Sequence, residues 1–253
     1  TKCDELSIQF DKNKLEEVMS NFKSKTVYEL KRIYSNKNDS SGWTFENASN
    51  DLKNNETYYT KILYRPFDIR HTVYTGKSGG FIGRPRTSTM FHLVEKNNLG
   101  LVTLRINGEG LEYVCLITNH VIEKGSLPKG NYSVFPLYVY HEKKQAEFGE
   151  SGEREPNLNM EIVQKIADGL GLQFTKEKED TEGTFAPIDL LDYIYAVLHS
   201  PSYRDKYKEF LKIDFPRIPY PEDVETFWKL VSKGGELRQI HLMESPILEN
   251  HEY

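Results

Sequence analysis

Cysteine is almost missing from these 253 residues: Cys3 and Cys115 are the whole supply, too few and too far apart for a disulfide framework or a thiolate metal site. No bridge is expected, which suits a reducing, cytoplasmic setting. Long apolar runs are missing too. Leu, Ile, Val and Phe are dispersed, and no stretch approaches the roughly 18 residues that a membrane span requires, so no membrane partner is expected. The seven histidines never stand at H-x-x-x-H spacing with a glutamate, and no metal is expected. A phosphate-cradling loop fails because His71 stands five before Gly76 of "GKS", where the pattern needs glycine. No G-x-G-x-x-G follows a strand, and there is no G-x-S-x-G elbow. Cys115 and His120 fall five apart in a β-like run, hence on opposite faces, so Cys115 reads as a core cysteine and not as half of a thiol dyad.

What is present is a foldable composition, 38% hydrophobic with 12% aromatic, enough for one large domain or two small ones. The chain opens at Thr1 with neither an initiator Met nor a signal-peptide pattern, and reads as a piece of something longer. Net charge is −5, but its sign is unevenly placed. Residues 61 to 105 hold eight Lys/Arg against Asp68 and Glu95, a local excess of +6. Residues 142 to 182 hold eleven Asp/Glu against six Lys/Arg, so the acidity has its own place. Within the basic part, "YRPFDIRHTVYTGKSGGFIGRPR" (Tyr64 to Arg86) sets six Lys, Arg or His around Asp68 and inserts Gly79, Gly80 and Gly83.

Apolar residues at helical spacing predict two short helices, over Leu15–Phe22 and Val27–Tyr34. Thr44 is placed to cap a third through Leu52, with "ENASND" on its wet side. "ETYYTKILYRPFDIRHTVY" reads as extended chain bent at Pro66. Thr87 or Ser88 is placed to cap a brief helix, and "LGLVTLRI" and "LEYVCLIT" read as a hairpin. "NYSVFPLYVY" is the last strand candidate, and "MEIVQKIADGLGL" a helix with a glycine end. The segments "PIDLLDYIYAVLHS", "PSYRDKYKEFLKI", "PEDVETFWKLVSKG" and "GELRQIHLME" are each amphipathic. The fold class is therefore α+β: a mixed or antiparallel sheet in the middle of the chain, with flanking helices and a helical C-terminal half. The corresponding divisions are a helical segment 1–56 at the junction to an upstream domain, a β-rich part 57–141, mobile loops with one helix at 142–186, and a helical part 187–253.

The motifs "YRPFDIR", "RPR" with its following "MFHL", "PLYVY", "DYIYAVLHSPSYRDKYKEFLKIDFPRIPYP" and "GELRQIHLME" stand in one order across roughly residues 60 to 245. In that order the chain resembles the C-terminal target-recognition region of single-chain restriction-modification enzymes, the type ISP and related type IIG group. The resemblance implies a parent that methylates adenine with S-adenosylmethionine and cleaves DNA with Mg²⁺, through methyltransferase and nuclease domains upstream in the same chain. The family's Asn-Pro-Pro-Tyr motif is absent here, so this part is expected to be non-catalytic and cofactor-free, and to bind double-stranded DNA. A protein-interaction scaffold between domains and a hydrolase or nuclease domain are the competing readings. The scaffold would show a contiguous exposed apolar patch, and the enzyme a convergent acid, base or nucleophile cluster.

The expected DNA-contacting residues are Arg84, Arg86 and Lys77 in the glycine-bearing loop, Thr87 and Ser88 at the following helix start, Arg70 on the preceding strand, and Arg105 with Asn107 at the second hairpin. Arginine and asparagine there carry guanine- and adenine-reading chemistry, a role Asn119 and His120 on the return strand share. Two competing structural readings stand beside these. Asp68 between Arg65 and Arg70 reads as an internal ion-pair cluster. The aromatics Tyr193, Tyr195, Tyr203, Tyr207 and Phe210 recur at helical spacing and read as packing.

Overall fold

The computed structural model describes residues 3–106, 113–127, 132–141 and 153–250. They form two compact units, one from residues 3–97 with 120–127, the other from 98–106, 113–119, 132–141 and 153–250.

The first unit opens with a helical turn α1 (Asp4–Ser7) and a short strand β1 (Ile8–Gln9), followed by three helices: α2 (Lys12–Ser24), α3 (Val27–Ile33) and α4 (Phe45–Asn54). Each of the three is started by a side-chain cap: Asp11 accepts from Asn13 N–H, Thr26 and Glu29 form a capping box, and Thr44 accepts from Asn47 N–H. Their apolar faces meet around Phe22, which stacks on Phe45 at 5.8 Å between ring centres and meets Phe81 edge-on at 5.6 Å. "ENASND" is only half wet. Glu46, Asn47 and Asn50 face solvent, but Ala48, Ser49 and Asp51 are buried, with Ser49 Oγ donating to the Phe22 carbonyl at 2.7 Å. α4 is covered both by α2 and by the loop that follows the next hairpin, so its buried arc is wider than a one-sided stripe.

That hairpin pairs β2 (Tyr58–Arg65) with β3 (Asp68–Tyr74) across Pro66 and Phe67, and β1 lies antiparallel on the far side of β3. After α5 (Thr87–Met90) the chain contributes the expected second hairpin, β4 (Gly100–Leu104) and β5 (Cys115–Thr118), to the other unit. It returns with β6 (Val121–Ile122), parallel to β2, giving a mixed sheet of order β1-β3-β2-β6. "NYSVFPLYVY" is split at Leu137, whose N–H donates to the Leu99 carbonyl, into β7 (Tyr132–Pro136) and β8 (Tyr138–Tyr140). β7 pairs with β4, so a second sheet of order β5-β4-β7 forms. The α+β class holds, but the expected central sheet is divided, because β4 exchanges its hydrogen bonds with β5 and β7.

In the second unit β8 pairs with β9 (Arg154–Pro156), and α6 (Met160–Leu170) ends at Gly171 in the left-handed region, φ 65°, the glycine end the sequence predicts. A two-strand pair, β10 (Gln173–Phe174) with β11 (Thr184–Phe185), leads into α7 (Pro187–His199), α8 (Pro201–Lys206) and α9 (Val224–His241). "PEDVETFWKLVSKG" and "GELRQIHLME" are one continuous helix, α9, and the glycines between them lie inside it. A Cβ on Gly234 would stand 2.5 Å from the carbonyl carbon of Asp192 in α7, so this glycine supplies room for helix contact and not a terminus. Beside it Arg238 grips buried Asp192 with Nε–Oδ1 at 2.7 Å and Nη2–Oδ2 at 3.0 Å. Tyr193, Tyr195 and Tyr203 are buried, as a packing role requires, and Tyr207 and Phe210 are half-buried. Tyr193 and Tyr203 donate to the carbonyls of Pro219 and Arg217, tying down "DFPRIP".

His199 and His241 close this helical part. Tyr195 Oη hydrogen-bonds His241 Nδ1 at 2.5 Å, and His199 Nδ1 lies 3.0 Å from the Tyr195 carbonyl. Burial pushes both imidazoles below their ordinary range, His199 to about 4, with nearby Arg204 adding to the effect there. A depressed folded-state value means that the unfolded chain takes up protons first as pH falls. Stability is therefore full above about pH 6.5 and declines from there toward pH 4. Thermal melts of wild type and His199→Phe across that window are expected to converge as the wild type loses its advantage; parallel curves would remove His199 as the cause.

Candidate nucleic-acid interface

The loop between β3 and α5 is built as a fixed object. Buried Asp51 of α4 accepts from the Phe81 N–H (2.7 Å) and the Thr75 hydroxyl (2.8 Å) through Oδ2, and from Asn55 Nδ2 (2.9 Å) through Oδ1. Trp43 Nε1 donates to the Phe81 carbonyl at 3.2 Å, and Gly79 N–H to the Gly83 carbonyl at 3.0 Å. Buried Tyr74 donates to the Pro85 carbonyl at 2.6 Å, and its hydroxyl is pushed far above the ordinary tyrosine range by burial. Gly79 needs the left-handed backbone, φ 73°, whereas Gly80 needs only space, since a Cβ there would stand 2.5 Å from Asp51 Cγ. A turn pinned at this many points is not a mobile one.

On this loop Lys77, Arg84 and Arg86 are exposed, and among the described residues none of the three has an ion-pair or hydrogen-bond partner for its side-chain cation. Arg86 also sits in the left-handed region at φ 52°, a conformation that costs a non-glycine residue about 1 kcal/mol or more and persists where the surroundings impose it. It is the N-cap of α5 and makes no side-chain cap bond, so neither Thr87 nor Ser88 caps this helix. Thr87 Oγ1 instead donates to the Gly76 carbonyl at 3.0 Å and closes the loop, which leaves Ser88 alone exposed at the helix start.

The remaining expected residues are held differently. Arg70 binds Asp68 through both oxygens, with Nε at 3.0 and 3.1 Å and Nη2 at 2.7 Å, the internal pairing that the sequence offered as the structural reading. Arg65 turns away from Asp68 to buried Glu123, with Nη1–Oε2 at 3.0 Å. Arg105 belongs to the second unit, where Nε reaches Asp214 at 3.4 Å. Asn119 donates to Glu244 at 3.0 Å, and Asn107 lies outside the described residues. Lys77, Arg84 and Arg86 are thus brought together on one loop, and Arg105 is not part of it. Sequence reasoning missed Asp51, whose only signal was a carboxylate in the last turn of an amphipathic helix.

Cys115 is buried, and burial raises its thiol well above the ordinary range. Among the described residues there is no group of three or more His, Cys, Asp or Glu that could hold a metal, and no helix long and apolar enough to cross a membrane. A cavity of about 260 Å³ in the second unit is walled by Leu101, Phe135, Leu191, Phe215 and other apolar groups, and offers only Thr103 and Asn157 as polar side chains.

Compared with known proteins, the family model described as the Type ISP C-terminal specificity domain matches residues 1–253. The chain belongs to this family. The match takes in the first 60 residues, which the motif resemblance does not cover. No curated protein sequence matches this specificity domain. Among solved structures it is similar to the ATP-dependent Type ISP restriction-modification enzyme LlaBIII bound to DNA, at 18% identity and TM-score 0.63, covering 94% of this chain and 15% of that one. The DrdV–DNA complex matches at 21% identity and TM-score 0.63, with 94% and 22% covered. A nuclease-deletion mutant of the Type ISP enzyme LlaGI with a DNA substrate mimic matches at 18% and 0.57, with 94% and 17% covered. At such identities the likeness is one of fold, and the domain spans only 15–22% of those proteins' length.

Proposed function

We propose that this specificity domain recognises a DNA target sequence for a restriction-modification enzyme, and that the loop carrying Lys77, Arg84 and Arg86 meets the duplex. The supporting observation is three exposed cations on a loop pinned to α4, without an ion-pair or hydrogen-bond partner among the described residues, while Arg65, Arg70 and Arg105 are engaged with carboxylates. A fixed donor array loses little freedom when it binds, and uncompensated cations are what phosphate contact uses. LlaBIII, DrdV and LlaGI are each seen with DNA, and this domain shares their fold over 94% of its length. The reading places the parent in the cytoplasm, and assigns S-adenosylmethionine, Mg²⁺, methyl transfer and cleavage to methyltransferase and nuclease domains upstream in the same chain. Ser88, Arg105 and Asn107 remain proposed contacts beside this loop's three cations.

Two variants test this in the complete parent protein. Arg84→Ala with Arg86→Ala is expected to weaken DNA binding and to lower the slope of log affinity against log salt by about two. Arg86→Gly removes the side chain and suits the left-handed backbone, so affinity is expected to fall while the melting temperature holds or rises. Undiminished affinity in both stable variants would exclude the loop and favour the scaffold reading.

A further inference from the structure

Immediately before α4 the chain makes a second tight turn beside the cationic loop. Ser40 and Trp43 exchange both backbone hydrogen bonds, the Ser40 N–H to the Trp43 carbonyl at 2.9 Å and the Trp43 N–H to the Ser40 carbonyl at 3.1 Å, so the reversal is confined to Ser41 and Gly42. Of these two only Gly42 has a positive φ, 103°, which makes this a type II turn with glycine at the position that needs it. A Cβ on Gly42 would meet nothing within 4 Å, so backbone conformation and not space selects the residue.

Turn and loop are set against each other by shared anchors. Phe81, in the middle of the loop, is held at both of its backbone groups, the N–H by Asp51 at 2.7 Å and the carbonyl by Trp43 Nε1 at 3.2 Å. Two residues on, a Cβ at Gly83 would stand 3.5 Å from the Gly42 carbonyl oxygen, so main chain lies against main chain one residue before Arg84. Ser41 and Gly42 are exposed, and among the described residues neither of their N–H groups nor the Ser41 hydroxyl has a hydrogen-bond partner. Asp39, the carboxylate nearest to the turn in sequence, is occupied: Oδ2 accepts from Lys31 Nζ at 2.6 Å and Oδ1 from the Phe45 N–H at 2.9 Å. Main-chain donors and a hydroxyl thus stand beside the exposed cations of Lys77, Arg84 and Arg86.

We infer that the Ser41–Gly42 turn is a phosphate clamp, whose N–H groups and Ser41 hydroxyl take one backbone phosphate of the DNA duplex beside Arg84; the assignment rests on the DNA-recognition reading. Phosphate oxygens are met by backbone N–H groups and serine hydroxyls as well as by arginine, and such contacts fix the register of a protein on the duplex. The two kinds of donor divide the task. Arg84 brings charge on a long side chain, whereas the turn brings neutral donors fixed by the fold, which align the duplex without displacing a counterion.

The test uses the complete parent protein and a duplex that it selects from a random-sequence pool, with the phosphates replaced one at a time by neutral methylphosphonate. Ser41→Pro removes the N–H and the hydroxyl together, yet suits the first central position of a type II turn and follows a residue held extended by its pairing. It is expected to keep or raise the melting temperature, and to bind about 10-fold more weakly with the salt slope unchanged. At one phosphate, where methylphosphonate weakens wild type, Ser41→Pro is expected to be indifferent to the replacement. Ser41→Ala keeps the N–H and is expected to lose only about 2- to 3-fold. Ser41→Glu leaves the turn's N–H groups in place and sets a carboxylate against the phosphate, so binding is expected to fall at least about 10-fold and to recover in part with methylphosphonate at that same position. Full affinity in Ser41→Pro, or the absence of any single phosphate that shows these responses, overturns the clamp; if Ser41→Pro melts early, Ser41→Glu decides alone. If the Ser41 variants bind normally while Arg84→Ala with Arg86→Ala binds poorly, only the clamp falls. A wild type that selects no duplex removes both readings.

Discussion

Replacing Gly234 by alanine is expected to destabilise the second unit by about 2 kcal/mol or more, although alanine is the better helix former by about 1 kcal/mol. The added methyl would stand 2.5 Å from the Asp192 carbonyl carbon, and closer still to its oxygen. Both are main-chain atoms in the interior of α7, so no rotamer change relieves the clash and the two helices must separate. Separation also pulls Arg238 off Asp192, a charge pair that is largely buried on both sides. For a protein of this size the loss corresponds to a fall in melting temperature of about 5 °C or more. Gly235→Ala is the internal control. Its methyl meets Asp192 Oδ2 at 3.1 Å, a side-chain atom with some room to shift, so the propensity gain and the crowding nearly cancel and the change is expected within about 1 kcal/mol. Equal stability losses in the two variants would show that the helix contact is not what Gly234 provides.

The same glycine pair shows where the sequence could and could not be read. Capped amphipathic segments were legible: Thr44 before Phe45 and the glycine end of α6 stand where the pattern puts them, because both signals are local. Gly234–Gly235 carries the same local signal as a terminus, and only the neighbouring helix says otherwise. Division of the strands between two sheets is also non-local, since β4 alternates like any strand and nothing in its own residues names β7 as its partner. For the site, the clustering of Lys77, Arg84 and Arg86 followed from their closeness in sequence. That Arg105 is engaged with a carboxylate did not, because Asp214 lies 109 residues from it. The pairing of Arg70 with Asp68, two residues away, was the structural reading that the local sequence offered, whereas Arg65 goes instead to Glu123, 58 residues on.

Asp51 is the residue on which the cationic loop depends most, and Asp51→Ala is expected to cost about 3 kcal/mol. The substitution strips the acceptor from the buried Phe81 N–H, from the Thr75 hydroxyl and from Asn55, and each buried donor left unmet costs about 1–3 kcal/mol before relaxation. Gly80→Ala is expected to be damaging for the complementary reason, because its methyl would run into the Asp51 carboxylate. The two are therefore coupled: in the Asp51→Ala background the obstacle is gone, and Gly80→Ala is expected to cost less there than in wild type, a coupling of about 1 kcal/mol or more in a double-mutant cycle. Additive losses would mean that Gly80 is not shaped by Asp51. Loosening the loop also spreads Lys77, Arg84 and Arg86 over many positions without removing a charge. Asp51→Ala in the parent is then expected to weaken DNA binding while keeping the salt slope, since the same cations still displace the same counterions once bound. A lowered slope would instead mean that some of these cations no longer reach phosphate at all, and that Asp51 decides which contacts form and not merely how readily.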